Sequence, residues 1–527
     1  MSQQDIAVPT YVAANDETAV RPQKHVPPRR PASLPVLSAV RWILSFPALL
    51  GIFLAGAAFY CGRAFRVDPD LWWHVKVGQS ILATHHWPTT DPYSFTVHGQ
   101  PWIAYEWAGD VLLGWTSRVA GVRGLDFLLI ALGAAVMLAL YGLGTLRAGN
   151  SKAGFLAATV FFPLASVSFT LRPQMLGYLF LVLTLIALEL FRQGRRWSVW
   201  CLPALMLVWV NTHGSFIIGL GLIALYLVCG LWDFRKGGIE AKRWSPGERR
   251  TLSLVLLLCV AVLPVTPYGM KLALYPFNMA FSQPLNIANV AEWQPMPFEM
   301  AIGKIFLAFV LVFFLLQIAL GLIWRIEEVL LFLAGLAMAT LHTRFVLLFV
   351  PFATPLLAAV AARWVPSYSR AKDKYLLNAL LMAGIALAMV HYFPSRKNLD
   401  QKIAGAFPVQ AVAYLRQHPV PGPMFNSYGF GGYLIGAGYQ TFIDGRGDLF
   451  ERGGVLKDYL NVVRLKPDSL ELLQQYGIES CLIESDGPLS TVLQALPGWK
   501  RLYADKISAV FVRTTPLHQD AGAAPSD

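Results

Sequence analysis

Charge is what this chain has least of. Asp, Glu, Lys and Arg make up 14% of its 527 residues against 55% that are hydrophobic, which excludes an ordinary soluble enzyme and fits a polytopic membrane protein with a small water-facing part. Cysteine is also sparse. Cys61, Cys201, Cys229 and Cys259 lie in or beside apolar segments and Cys481 stands alone near the C-terminus, so neither a disulfide framework nor a CxxC metal site is implied. The polar regions lack a Gly-rich phosphate-cradling loop, which excludes P-loop and Rossmann nucleotide sites. No internal repeat of fixed period occurs, which argues against the paired halves of many transporters. The net charge of +12 would suit an anionic polymer if it were gathered on one face. Here the basic residues are spread among short loops, and no nucleic-acid partner is expected.

What is present is a series of apolar runs at roughly 42–62, 124–146, 153–170, 175–192, 198–211, 215–234, 251–267, 304–324, 327–342, 345–363 and 375–393, about eleven transmembrane helices by length and composition. Residues 1–40 are polar and Pro-rich and read as a disordered cytoplasmic tail. The run after them, about 20 residues, is longer than the apolar core of a signal peptide and is expected to remain as a span. Arg147, Lys152, Arg192, Arg195, Arg196, Arg325 and the basic residues of 235–250 and 363–374 fall in alternate loops, whereas the short loops between them carry only Arg172 and Arg344. Lys and Arg accumulate on the cytoplasmic side, so the N-terminus is expected inside and the C-terminus outside an inner (plasma) membrane.

This topology gives a membrane domain at 41–394 with long outer loops at 63–123 and 268–303, an extracytoplasmic α/β domain at 395–515 and a disordered tail at 516–527. In the first loop, 71–83 and 105–119 are Trp-rich and amphipathic, as helices lying along the interface are, with a turn at 87–92 between them. In the C-terminal domain the patterning predicts helices at 408–418 and 468–476 and strands at 424–425, 441–443, 480–483 and 509–512.

Once the loops are assigned, Asp68, Asp70, His74, Glu106, Asp110, Arg172, Asn211, His213, Lys271, Glu292, His342 and Arg344 share the outer face. The Trp72-Trp73 pair has an ordinary reading as interfacial aromatics. The acids beside it are costly to place near a span and mark a candidate site. Such an acid can bind a hard divalent cation or accept a proton from an acceptor hydroxyl or amide. Arg172 and Arg344 read either as snorkelling helix-end residues or as phosphate clamps. The Asn211-Thr212-His213-Gly214 turn reads first as structural, and a lone loop acid such as Glu292 reads as solvated surface.

Taken together, four segments resemble the catalytic subunits of oligosaccharyltransferases and, more broadly, the GT-C glycosyltransferase class. Asp70-Leu-Trp-Trp-His74, with Pro88 and Asp91-Pro-Tyr93 after it, looks like the family's first acidic motif. Ala291-Glu-Trp-Gln-Pro295 is similar to the Glu-containing motif of its fifth external loop. Arg344, with Phe345 and Pro351, resembles the arginine that contacts the lipid-linked phosphate. Asn426-Ser-Tyr-Gly-Phe-Gly-Gly-Tyr433 and Phe442-Ile-Asp-Gly-Arg446 are similar to the start of its soluble domain. The chain departs from the family where a peptide-reading Trp-Trp-Asp is replaced by Asn426-Ser427, and where the second acidic motif is replaced by Leu171-Arg172-Pro173-Gln174.

The resemblance implies an integral-membrane glycosyltransferase of GT-C-like fold, moving a sugar or oligosaccharide from a polyprenyl phosphate or diphosphate donor to a protein, lipid or polysaccharide acceptor at the outer face. In that reading Asp70 activates the acceptor, with Asp68 as its alternate and Glu292 closing from a loop. Arg344 and Arg172 hold the phosphate, and Trp73, His74, Glu106, His213 and Tyr428 complete the substrate-binding set. Oxygen ligands from Asp70 and Glu292 would select Mg²⁺ or Mn²⁺. The rival readings are a transporter or flippase of a lipid-linked or small polar substrate and a non-catalytic membrane scaffold.

Overall fold

The structure is a computed structural model that describes residues 35–63 and 68–514. Most of the expected N-terminal tail and all of the expected C-terminal tail lie outside the described residues. The end of the former differs from expectation: residues 35–40 belong to a helix, Pro35–Ile43, whose apolar residues are punctuated only by Ser38 and Arg41.

All eleven apolar runs are helical. Their lengths are uneven, however. Trp107–Ala148, Gln174–Arg192, Ala301–Leu320 and Thr343–Ala361 are long and apolar enough to cross a membrane, and a fifth span results if the bent pair Tyr375–His391 and Arg396–Ala404 is taken as one. The other apolar helices, such as Phe46–Gly62 and Phe216–Cys229, are shorter, and several start at a proline whose missing N–H costs nothing in the first turn. The helix expected at 105–119 exists but does not stop there. It runs into the following span as Trp107–Ala148, bent at Gly121, whose φ of 58° and ψ of −151° favour a residue without a Cβ.

At one end of the bundle, buried acids are met by arginines from neighbouring helices. Glu328 pairs with Arg147, Glu327 with Arg192, and Glu189 with Arg325 at 2.6 Å. Beside them Phe234–Lys236, Ile239–Ala241 and Trp324–Arg325 form a small three-stranded sheet. The opposite end carries the C-terminal domain. There Met424–Asn426 runs parallel to Ser480–Glu484, which is antiparallel to Ser508–Arg513, itself antiparallel to Trp499–Ala504. Three of the four expected strands are present and Trp499–Ala504 is additional. Residues 441–443 form no strand of this sheet: Thr441 exchanges backbone hydrogen bonds with Tyr93 and Phe95 of the first long loop, and Phe442 is in a bend.

The C-terminal domain is therefore fastened to that loop, and its side chains do the same. Trp73, Val77 and Ile81 of the Leu71–Thr84 helix share one core with Phe425, Ile443 and Phe450. The Tyr428–Ala437 helix approaches closely because a Cβ on Gly432 would collide with the Pro69 carbonyl, and one on Gly445 would collide with the Asp70 carboxylate. The fully buried Arg446 guanidinium bonds Asp444 within its own domain at 2.7 Å and Asp91 of the loop at 2.5 Å. The rings of Tyr93 and Trp102 lie within 5.3 and 4.8 Å of it.

Removing one member of a buried ion cluster strands the others without compensation, at a cost of about 3–5 kcal/mol. Arg446→Ala should accordingly lower the thermal unfolding temperature of the purified protein and open the 87–102 loop to protease. An unchanged unfolding temperature would show that the cluster does not hold the domain.

Candidate functional site

Four segments converge where the C-terminal domain meets the bundle. The Asp68–Asp70 turn leads into Leu71–Thr84; Arg172 lies between Ser151–Ser166 and Gln174–Arg192; Glu292 sits in the turn Ala291–Trp293; and Arg344 lies in the turn Thr343–Phe345 that starts the Val346–Ala361 helix. Asp68 caps the turn by accepting the Asp70 backbone N–H at 2.9 Å. Pro173 follows Arg172 and opens the next helix, which leaves the arginine at its start.

Arg172 is the centre of the arrangement. Its Nε lies 2.6 Å from Asp68 Oδ2, an ion-pair contact rather than an aligned hydrogen bond, its Nη2 lies 2.9 Å from Asp70 Oδ2, and its Nη1 donates to Glu292 Oε1 at 3.3 Å. A planar guanidinium with five N–H donors suits three carboxylates arranged around its edge. Burial pushes the Asp70 carboxyl up to about 7, with Arg172 opposing the rise and Asp68 adding to it. The Trp73 indole lies beside the carboxylate, and Tyr428, largely buried at the start of its helix, is in electrostatic contact with both Asp70 and Arg172.

A second polar group adjoins the first. His74 Nδ1 is 2.6 Å from Asp110 Oδ1, and its Nε2 faces Glu106 Oε2 at 3.7 Å. Glu106 Oε1 in turn lies 3.4 Å from His213 Nε2, while His213 Nδ1 meets Ser215 Oγ at 2.7 Å. Burial raises Glu106 to about 8 against the pull of Arg172 and Arg344, so it is largely protonated at neutral pH. Burial together with Arg344 and Arg172 drops His213 to about 3, and burial with Arg172 holds His74 well below its ordinary value, so both imidazoles are neutral. The group carries little charge and is rich in exchangeable protons.

Arg344 differs from Arg172. Among the described residues no carboxylate lies within ion-pair distance of it, and its guanidinium rests 4.2 Å over the Trp293 ring. The 291–293 turn thus presents Glu292 to one arginine and Trp293 to the other. That turn is tied down by His342 Nδ1 at 2.5 Å from the Trp293 carbonyl oxygen and by the Thr343 N–H donating to the Gln294 carbonyl at 2.9 Å.

All the residues expected at the site are therefore neighbours, but their contacts redistribute the expected roles. Arg172, read from the sequence as a second phosphate clamp, is occupied by carboxylates. A divalent cation between Asp70 and Glu292 does not fit this arrangement, because the guanidinium already bridges the same two side chains and would repel it. Among the described residues no three or more His, Cys, Asp or Glu side chains form a group that could hold a metal ion. The 211–214 turn is structural, with Asn211 Oδ1 accepting the Trp107 indole N–H at 2.8 Å, and it also delivers His213 to Glu106. Asp110 had no role assigned from sequence; its position one turn after Glu106 was the available signal.

No family model matches the chain, and no curated protein matches it. Solved structures do. The archaeal oligosaccharyltransferase AglB from Archaeoglobus fulgidus, in complex with an inhibitory peptide and a dolichol-phosphate, aligns with 90% of this chain and 75% of its own at 11% identity and a TM-score of 0.50. ArnT from Cupriavidus metallidurans in the apo state aligns with 93% of this chain and 100% of its own, at 16% identity and a TM-score of 0.49. The arabinofuranosyltransferase AftD from Mycobacteria aligns with 89% of this chain and 40% of its own, at 12% identity and 0.49. At such identities the likeness is one of fold, and the fold of this membrane protein is GT-C-like.

Proposed function

We propose that this chain is an integral-membrane glycosyltransferase that transfers a sugar or oligosaccharide from a polyprenyl phosphate or diphosphate donor to an acceptor on the outer face of the membrane. The N-terminus would be cytoplasmic and the C-terminal domain extracytoplasmic, as the loop charges require. The observation that carries the reading is the presence, at one end of an apolar bundle, of a carboxyl that burial raises to about 7, Asp70, and of a guanidinium that no described carboxylate neutralises, Arg344. The fold likeness to AglB, whose structure holds a dolichol-phosphate, supports the same class of donor.

In this mechanism the Asp70 carboxylate takes the proton of the acceptor hydroxyl or amide as that atom bonds to the anomeric carbon. The bond from the anomeric carbon to the phosphate oxygen breaks, and the electron pair leaves with the phosphate. Arg344 stabilises the charge that grows there, while Arg172 keeps Asp70, Asp68 and Glu292 aligned. Glu106, protonated and next to the neutral His213, can donate a hydrogen bond to the phosphate or to the sugar. No step is routed through Mg²⁺ or Mn²⁺, since Arg172 stands between the acids that would hold one. Polarity gathered at the two ends of the bundle, rather than at its middle, disfavours the transporter reading.

Deleting the gene should cause the polyprenyl-linked donor to accumulate, as seen by mass spectrometry of lipid extracts. Wild-type protein should restore the glycan, whereas Asp70→Asn, expressed at equal level, should transfer at least ~10²-fold more slowly. Full restoration by that variant would refute the assignment of the base. Because Asp70 must be ionised to accept a proton and its pKa is raised to about 7, kcat/KM should climb with pH through an inflection near 7 and fall away on the acid side. A rate flat from pH 5.5 to pH 8 would exclude Asp70 as the titrating group. Treatment with EDTA should leave transfer unchanged; loss of activity that Mg²⁺ or Mn²⁺ restores would show that Arg172 yields its place to a cation.

A further inference from the structure

A second feature lies apart from the acidic cluster, on the lipid-facing side of the bundle. The helices Phe46–Gly62 and Tyr375–His391 pack together, with Gly56 against Ile385, and leave between them a groove of about 580 Å³ floored by residues such as Phe53, Ala57 and Met389. A polar cavity of about 600 Å³ continues it toward the end that carries the C-terminal domain, and Tyr60, Arg63 and Tyr392 wall both. The two are one groove, apolar below and cationic at its mouth.

The mouth is shaped by a bend. After Tyr375–His391 the chain turns by 58° into Arg396–Ala404, which lays Asn398, Gln401 and Lys402 as a shelf across the opening. The spacing i, i+3, i+4 puts all three on one helical face. Lys402 Nζ donates to the Arg63 carbonyl oxygen at 2.7 Å, and the Arg63 guanidinium lies 4.5 Å from the Tyr60 ring and 5.8 Å from the Tyr392 ring. Arg123 lies nearby, 5.3 Å over the neighbouring Phe393 ring. Among the described residues no carboxylate lies within ion-pair distance of Arg63, Lys402 or Arg123. Asp126, fully buried in the Trp107–Ala148 helix, offsets part of the Lys402 charge and leaves the cluster net positive.

We infer that this groove is a binding site for an anionic glycerophospholipid of the outer leaflet, with an acyl chain along the apolar floor and the phosphodiester between Arg63 and Lys402. Charge complementarity and depth select this occupant. The polar mouth coincides with the end of the spans, where lipid headgroups sit, and two tyrosines flank it as interfacial aromatics do. The amides of Asn398 and Gln401 supply hydrogen bonds suited to a glycerol headgroup. The site depends on the chain's being embedded in a bilayer and not on the transfer reaction, so its test is independent of activity.

Native mass spectrometry of the full-length protein, released from nanodiscs of equal parts phosphatidylglycerol and phosphatidylcholine, is the measurement. The wild type should retain one phosphatidylglycerol under activation that strips phosphatidylcholine. The double variant Arg63→Gln/Lys402→Gln should lose that preference by about thirtyfold, since each cation near a lipid phosphate is worth about 1 kcal/mol. Ala57→Phe, which fills the floor and leaves the charges in place, should lower retention as well. Thermal unfolding in detergent alone should be the same for wild type and both variants, with stabilisation by added phosphatidylglycerol seen only in the wild type. Equal retention of the two lipids by the wild type, or undiminished phosphatidylglycerol preference in both variants, would overturn the inference. Displacement of the bound lipid by equimolar undecaprenyl phosphate would reassign the groove to a polyprenyl carrier and overturn the choice of occupant.

Discussion

Three carboxylates held around one partly buried guanidinium are the constraint on which the rest of this structure depends. Asp68, Asp70 and Glu292 come from two different long loops, and without Arg172 they would repel one another, Asp68 most of all because it is the most buried of the three. Arg172 also cannot lose its charge, so it settles the local electrostatics in a way that a titratable lysine would not. Its presence leaves Asp70 able to ionise near neutrality, adds to the burial that keeps the nearby imidazoles neutral, and draws the Glu292 turn onto the bundle. The same turn places Trp293 beneath Arg344, so one interaction positions both the proposed base and the cation proposed to face the leaving phosphate.

The C-terminal domain completes the site by contact and not by contributing a separate catalytic unit. Gly445 sits against the Asp70 carboxylate, and Gly432 against the Pro69 carbonyl; a side chain at either position would force the domain away. Arg446 then locks the approach through Asp91. Ion pairs at the far end, such as Arg325 with Glu189, play the matching role of tying helices together where charge would otherwise be buried alone. The molecule thus uses buried arginines at three levels, and in each case a second element is fixed by supplying the acid.

Much of the architecture was legible in the sequence because its cause is local. Apolar runs form helices wherever a bilayer or a core receives them, and all eleven did so. Which of them cross the membrane unaided was not legible, because helix length depends on where capping and bends fall, as at Gly121. The strand expected at 441–443 has the right composition, but its backbone groups find partners in the first loop. Trp499–Ala504, with Lys500 and Arg501 on an exposed edge, has too little alternation to stand out as a strand. The residues expected at the site do gather at one end of the bundle, but their pairing was not visible, since Arg172 and Glu292 are 120 positions apart in the chain.

The sequence by itself determined that this is a membrane protein with a polar, acid- and arginine-bearing end, because scarcity of charge and the spacing of apolar runs admit no other economical arrangement. Tertiary structure alone decided what those polar residues do to one another. It turned Arg172 from a candidate phosphate clamp into the partner of three acids, left Arg344 without a carboxylate partner among the described residues, and linked His213 to Glu106. The physical reason is that electrostatic roles depend on distances of a few ångströms between residues that the chain keeps far apart, and only packing sets those distances.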